Sequence, residues 1–326
     1  MVREDGNGAL VPADMETFKA FIPELFAGNI HVDIQAFDPL IDSSDIGPES
    51  WRKMAQMVTD HYDAYDGFVI LHGTDTMSYS ASALSFMLEN LGKPVVFTGS
   101  QLPVGVLRSD AKENLLTAIE IAAEQDEEGN ALVPEVCIYF EDKLFRANRT
   151  TKRNAEHFSA FNSYNYPALA KAGVHITYQP HLVHYSDPKA PLTLHTEFDT
   201  NVAVLKLFPG IQPAVVKAIL HTRGLRGVVL ETFGAGNAPS DKWLYRELKA
   251  AVDRGIIIVN KTQCNTGSVE MGLYAVSLNL MKAGVLSGYD ITTEALLTKM
   301  MLLLGEMPER AKELLGKDIC GEMTID

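Results

Sequence analysis

Gly67-Phe68-Val69-Ile70-Leu71-His72-Gly73-Thr74-Asp75-Thr76-Met77 decides the fold class. Its first five residues form an apolar, β-branched run of strand length. His72 to Thr76 is polar and contains Gly73, the residue best able to turn sharply. From Met77 onward Leu84, Met87, Leu88 and Leu91 recur at helical spacing, and Gly92 stands where helices stop, so a helix is expected over Met77 to Leu91. Working outward, Lys93-Pro94 breaks the chain and Val95-Val96-Phe97-Thr98 reads as the next strand. Asp110 offers a cap for a helix running to about Glu124, and Glu135 to Phe140 reads as a third strand. Strand, helix, strand, helix, strand is the pattern of a parallel sheet with helices on its faces. Ligands meet such sheets beyond the carboxyl ends of the strands. The loops after Leu71, Thr98 and Phe140 are therefore the places to look for a site.

A second alternating block follows. Val202 to Phe208, Gly227 to Leu230 and Ile256 to Asn260 read as strands, and Ala214 to His221 and Trp243 to Arg254 as helices. Ser186-Asp187-Pro188-Lys189-Ala190-Pro191 lacks periodicity and is rich in turn residues. The expected organisation is two α/β domains. The larger, N-terminal one (1–185) carries a mostly parallel sheet flanked by helices, a linker spans 186–200, and a smaller domain occupies 201–326.

The 326 residues include 28 Lys plus Arg and 42 Asp plus Glu, a formal net charge of −14. Such a chain is poorly suited to gripping phosphate backbones or anionic membranes, so neither nucleic acid nor membrane is expected as a partner. No run approaches the roughly 18 apolar residues of a membrane span. The N-terminus MVREDGNGALVPAD shows no apolar run behind a basic region, so no signal peptide is expected. The three cysteines, Cys137, Cys264 and Cys320, are odd in number and far apart. That pattern argues for a reducing compartment, with the cytoplasm as the default.

Several segments could carry chemistry. Thr74, Asp75 and Thr76 fit helix capping and equally fit an anion-binding turn of outward backbone N–H groups. Gly99-Ser100-Gln101 repeats the strand-to-loop arrangement with a weaker signal. Glu141 to Lys152 is a basic stretch in an acidic protein: either an exposed turn or the source of a partly buried lysine base. Asp42, Ser43 and Ser44 could hold a zwitterion, or could cap the helix that Pro48-Glu49 opens. Glu124 to Glu128 reads as a solvated helix end. No zinc, haem, dinucleotide or phosphate-loop motif is found, and Gly234-Ala235-Gly236-Asn237 lacks the phosphate-loop lysine. No metal and no cofactor are expected.

Together these segments resemble the L-asparaginase family, most closely its cytoplasmic type I branch. The resemblance is carried by Gly67 to Met77, Leu40 to Asp45, Phe97 to Gln101, Arg108-Ser109-Asp110, Asn148 to Lys152, Gly234 to Pro239 and Thr262-Gln263-Cys264, and it spans essentially the whole chain. It implies a two-domain asparaginase-like α/β fold, hydrolysis of L-asparagine to L-aspartate and ammonia, no cofactor, and assembly as a homodimer or homotetramer. It also implies that Thr74, Asp75 and Lys152 form a proton-handling relay. Lys152 would be a base, Thr74 would pass the proton, and Asp75 would orient the lysine and hold the substrate ammonium. Asp42, Ser43 and Ser44, with Thr74 and Asp75, match the substrate-binding positions.

The sequence departs from the family pattern at three places. The Thr-Gly-Gly-Thr turn that carries the family's attacking threonine is not found, and Met1-Val2-Arg3 resembles the segment immediately after it. The expectation is a late start or a truncated chain, with a catalytically impaired homologue as the alternative. Just before Pro12, Ala9 and Leu10 stand where a tyrosine is usual. Thr262 and Cys264 match positions of an allosteric asparagine site found in some type I members, and ordinary loop packing explains them equally well. The arginine of that site corresponds to Glu231, whose charge would repel an effector carboxylate. Two other readings compete with an asparaginase: an amino-acid-binding or regulatory protein, and the amidase component of a tRNA-dependent amidotransferase.

Overall fold

The computed structural model describes residues 2–4, 10–12, 22–26, 29–187, 189–272 and 275–325. Ala9, three residues before Pro12, lies outside the described residues. Phe68–Leu71 (β1), Val95–Thr98 (β2) and Val136–Phe140 (β3) run parallel and in register. Every residue of β2 and β3 is buried, as suits strands covered on both faces. β1 is only half-buried, short of the fully buried strand its composition predicts, because it is the edge of the described sheet.

The segment after Phe140 departs from a simple loop. Glu141 takes φ 61°, which turns the chain back so that Lys143–Arg146 (β4) pairs antiparallel with β3. Ala170–Ala172 (β5) and Ile176–Tyr178 (β6) extend the sheet antiparallel, giving the order β6-β5-β4-β3-β2-β1. The charged ends of β4 disguise its apolar middle: Leu144 and Phe145 are buried. Arg146 is buried too, its Nε and Nη2 donating to Glu135 at 2.6 and 3.0 Å. Burial works against the Arg146 cation, but the Glu135 carboxylate more than offsets it and holds the guanidinium above its ordinary pKa. The exposed basic turn is thus excluded for these residues.

Met77–Met87 (α2) and Ala111–Ala123 (α3) pack on this sheet, and Pro48–Asp60 (α1) packs against α2. α2 is buried on nearly all sides, with Met77, Leu84 and Met87 fully covered. It ends earlier than its periodicity predicts. Leu88-Glu89 leaves the helix to pair with Thr193-Leu194, and Asn90 follows with φ 63°. α1 begins after Gly47, so the Asp42 segment does not cap it.

The chain divides into two compact units, Met1–Leu194 and His195–Asp326. In the second, Val202–Lys206 (β7), Gly227–Thr232 (β8), Ile257–Thr262 (β9) and Leu286–Ser287 (β10) are parallel and lie in chain order. Pro213–Leu220 (α4), Lys242–Asp253 (α5), Ala275–Lys282 (α6) and Thr293–Glu306 (α7) accompany them. Leu205, Leu230, Leu244, Leu248 and Ile258 lie in its core. α7 carries Lys299, which is fully buried and donates to Glu322 at 2.6 Å. Glu322 also accepts from the Ile319 and Cys320 amides, tying the C-terminal segment to the helix. Burial alone would raise the Glu322 pKa; the Lys299 charge beside it holds the carboxyl below its usual range. No helix among the described residues is long and apolar enough to cross a membrane.

Candidate active site

The site lies beyond the carboxyl ends of β1 and β2. Its floor is a buried histidine. His72 Nδ1 is 2.6 Å from the Gly73 carbonyl, which can only accept, so Nδ1 carries the proton. Nε2 then accepts from Ser80 Oγ at 2.8 Å, and Ser80 Oγ accepts from Trp51 Nε1 at 3.0 Å. Every donor in this chain meets an acceptor only if His72 is neutral. Burial favours the same form, pushing the His72 pKa down to about 4. Two glycines let the surrounding loops meet. A Cβ on Gly73 would stand 2.5 Å from Ser43 Oγ, and one on Gly99 would stand 2.3 Å from the His72 carbonyl.

These contacts present Thr74 and Asp75 to a lysine far away in sequence. Lys152 Nζ donates to Thr74 Oγ1 at 2.9 Å and to Asp75 Oδ1 at 2.5 Å. The Lys152 side chain is 17% exposed and that of Asp75 71%, so the lysine is largely enclosed while the carboxylate opens to solvent. Lys152 is held in a short strand, Thr151–Lys152, paired with Phe161–Asn162. Neither threonine caps α2 through its side chain. Thr74 Oγ1 instead donates to Gln101 Oε1 at 3.2 Å, and Thr76 Oγ1 donates to the Ser43 carbonyl at 2.6 Å.

The Asp42 segment therefore adjoins the same loop. Ser43 is buried against Gly73, while Asp42 and Ser44 are exposed. Asp42 accepts from the Ser44 amide at 2.8 Å and from Ser44 Oγ at 2.6 Å, capping the short turn Ser43–Asp45. The Ser44 hydroxyl, then its amide, holds the Asp42 carboxyl below its ordinary pKa.

Two further residues take part, Gln101 from the loop with the weaker sequence signal and Asp110. Gln101 reaches Thr74 through its side chain, as described above. Asp110, expected as a helix cap, makes no such bond to α3. It accepts from the Gln101 amide at 3.0 and 3.1 Å and from the Leu102 amide at 3.2 Å. An acidic residue before a helix looks the same in sequence whether it caps that helix or grips a neighbouring loop.

Glu231, Thr262 and Cys264 belong to the second unit, at the carboxyl ends of β8 and β9. Lys206, Glu231 and Lys261 form one register row across β7, β8 and β9. Glu231 accepts from Thr293 Oγ1 at 2.8 Å, with Lys206 Nζ 3.6 Å away. Thr262 is buried, its Oγ1 accepting from the Cys264 amide at 3.0 Å, and Cys264 is exposed. Cys137 is fully buried, and burial raises its thiol pKa.

Comparison with known proteins agrees over the whole chain. The family model "Asparaginase, N-terminal" matches residues 1–184 and "Glutaminase/Asparaginase C-terminal domain" matches residues 201–314. L-asparaginase 1 of Escherichia coli is 46% identical over 334 residues, covering 100% of this chain and 95% of that protein. The crystal structure of L-asparaginase I from Vibrio cholerae superposes with a TM-score of 0.87 at 42% identity, covering 97% of this chain and 94% of that one. A glutamyl-tRNA(Gln) amidotransferase component of Pyrococcus abyssi is more distant, 32% identical over 333 residues, with 98% of this chain and 73% of that protein covered. On both domain matches and the full-length relative, the chain belongs to the asparaginase family.

Proposed function

We propose that the protein hydrolyses the side-chain amide of L-asparagine to L-aspartate and ammonia. The observation that carries this reading is the contact of Lys152 with Thr74 and Asp75, beside Ser43 and beyond the ends of two parallel strands. A bound α-amino acid presents an ammonium, a carboxylate and a side-chain carboxamide. Asp75, exposed and anionic, suits the ammonium. Ser43 and Ser44, in the turn capped by Asp42, suit the carboxylate. The carboxamide then faces Thr74. As the C–N bond breaks, nitrogen must leave as ammonia rather than as an amide anion. As Lys152 supplies a proton to the Thr74 oxygen, the hydroxyl proton of Thr74 leaves Gln101 for the departing nitrogen, and Asp75 steadies the lysine. A hydroxyl oxygen adds to the carbonyl carbon and gives up its proton, which restores the Lys152 ammonium; water then cleaves the resulting ester to L-aspartate and the regenerated hydroxyl. In the family pattern that hydroxyl comes from the threonine of a Thr-Gly-Gly-Thr turn, a sequence not found in these 326 residues.

Ammonia release from L-asparagine tests this reading, measured on the 326-residue chain, on an upstream-extended chain, and on Thr74→Ala and Lys152→Ala versions of whichever is active. Turnover abolished by both substitutions supports the relay. Turnover left intact by either refutes it. An inactive 326-residue chain beside an active extended one locates the attacking hydroxyl upstream. Silence from both favours the amino-acid-binding protein. The amidotransferase reading is weaker, since the chain is acidic and that relative more distant.

The same reading extends to a homodimer or homotetramer in the cytoplasm, the location supported by three cysteines with no disulfide spacing. Sedimentation equilibrium gives the assembly state. The row Lys206, Glu231 and Lys261 carries an acid where the family's effector site has an arginine, and we assign no effector to it.

A further inference from the structure

Gln101 is held in a single orientation. Its Nε2 faces the His157 carbonyl at 3.1 Å, and a carbonyl can only accept. The amide nitrogen must therefore lie there, which turns Oε1 toward Thr74 Oγ1, 3.2 Å away. Oε1 can also only accept, so the Thr74 hydroxyl hydrogen points at Gln101. Lys152, as an ammonium, can only donate, and it approaches the same oxygen at 2.9 Å. The proton of Thr74 is thus committed to Gln101 and one lone pair to Lys152. Thr74 Oγ1 makes no further hydrogen bond among the described residues, so its second lone pair is available to a ligand. Toward a ligand the resting Thr74 is an acceptor.

The backbone of Gln101 is pinned as firmly as its side chain. Asp110 takes the Gln101 and Leu102 amides, and Asn114 Nδ2 donates both to Asp110 Oδ2 at 3.1 Å and to the Gly99 carbonyl at 2.9 Å. Asn114 Oδ1 in turn accepts from the Glu141 amide at 3.0 Å. The loop after β2 is thereby tied both to α3 and to the β3–β4 turn.

We propose that Gln101 is a positioning residue that sets substrate preference: by parking the Thr74 hydroxyl proton, it makes Thr74 an acceptor toward the pocket, which matches the N–H groups of a carboxamide and mismatches the carboxylate of the product. This rests on the reading that Thr74 receives the substrate carboxamide. A hydroxyl left free to rotate would donate to a carboxylate as readily as it accepts from an amide.

The test compares Gln101→Met, which keeps length and removes the acceptor, with Gln101→Glu, which keeps the acceptor and loses the donor to His157. In the active protein the readout is the ratio of the L-aspartate inhibition constant to the L-asparagine KM. The expected result is a fall of about fivefold or more in Gln101→Met, with kcat also reduced, and no fall in Gln101→Glu. A ratio unchanged in Gln101→Met, or lowered equally in both variants, overturns the proposal, because a purely structural tie would not separate them. Thr74→Ala and Lys152→Ala proteins that still turn over would sink the underlying reading instead. A neutron structure of the unliganded protein provides a readout independent of turnover. A deuteron between Thr74 Oγ1 and Gln101 Oε1 supports the assignment, and one directed elsewhere overturns it.

Discussion

Lys152 with Asp75 and Lys299 with Glu322 are the same chemical pair in two settings. The first has side chains 17% and 71% exposed, and the second has both at 0%. In the second, the carboxylate also takes two backbone amides, and the ammonium also takes the Lys317 carbonyl. All its bonding is internal, and its work is to hold the C-terminal segment on α7. In the first, the carboxylate stays open to water and the lysine also touches a hydroxyl. That pair can meet a ligand and move a proton. Exposure, rather than distance, separates the proposed relay from the latch: the two N–O separations are nearly equal, at 2.5 and 2.6 Å.

Four measurements break or sharpen this contrast. Lys152→Ala is expected to lower kcat/KM for L-asparagine about 10³-fold or more, roughly 4 kcal/mol of barrier. Glu322→Ala leaves a charge buried without its partner and should cost about 3–5 kcal/mol of unfolding free energy. Urea melts read that loss, and kcat should stay within about twofold of the parent. If the two effects are exchanged between variants, the contrast fails.

His72 shows burial without an ion partner. Its folded pKa of about 4 lies below the ordinary 6.5, so as pH falls the unfolded chain takes up the proton first. The stability it confers is complete above about pH 6.5 and is lost as pH falls through about 4. Between pH 7.5 and 4.5 the parent should lose on the order of 2–3 kcal/mol more than His72→Gln, measured by paired melts. The smallest expected effect is that of Asp75→Asn on stability. An ion pair this open contributes about 1 kcal/mol or less, so a larger loss would mean the relay also braces the fold.

The sheet is legible in the sequence where strands are fully buried. β2 and β3 announce themselves as short apolar runs bounded by breakers. β4 does not, because its apolar pair sits between Lys143 and Arg146 and its turn uses Glu141 at positive φ rather than a glycine. Of the site, the Thr74–Asp75 turn is legible from a strand ending in a polar, glycine-containing loop. Lys152 lies 78 residues from Thr74, and no local periodicity joins them; only the resemblance to a family suggests it. Gln101 and Asp110 act through loop-to-loop contacts. Those depend on where β2 and α3 place their ends in space, which one strand's pattern does not record.

The two glycines under the site set limits for anyone reshaping this pocket. At Gly73 and Gly99 even one added methyl group would intrude on a neighbouring atom, Ser43 Oγ or the His72 carbonyl, from within 2.5 Å. Alanine, ordinarily a mild replacement, already clashes at these positions, and every larger residue adds to the clash. A library aimed at new amide substrates should freeze both and spend its diversity on the rim at Ser44, Gln101 and the 153–160 loop. Conservative changes suit these positions best, because Ser44 and Gln101 also brace the loops through Asp42 and the His157 carbonyl.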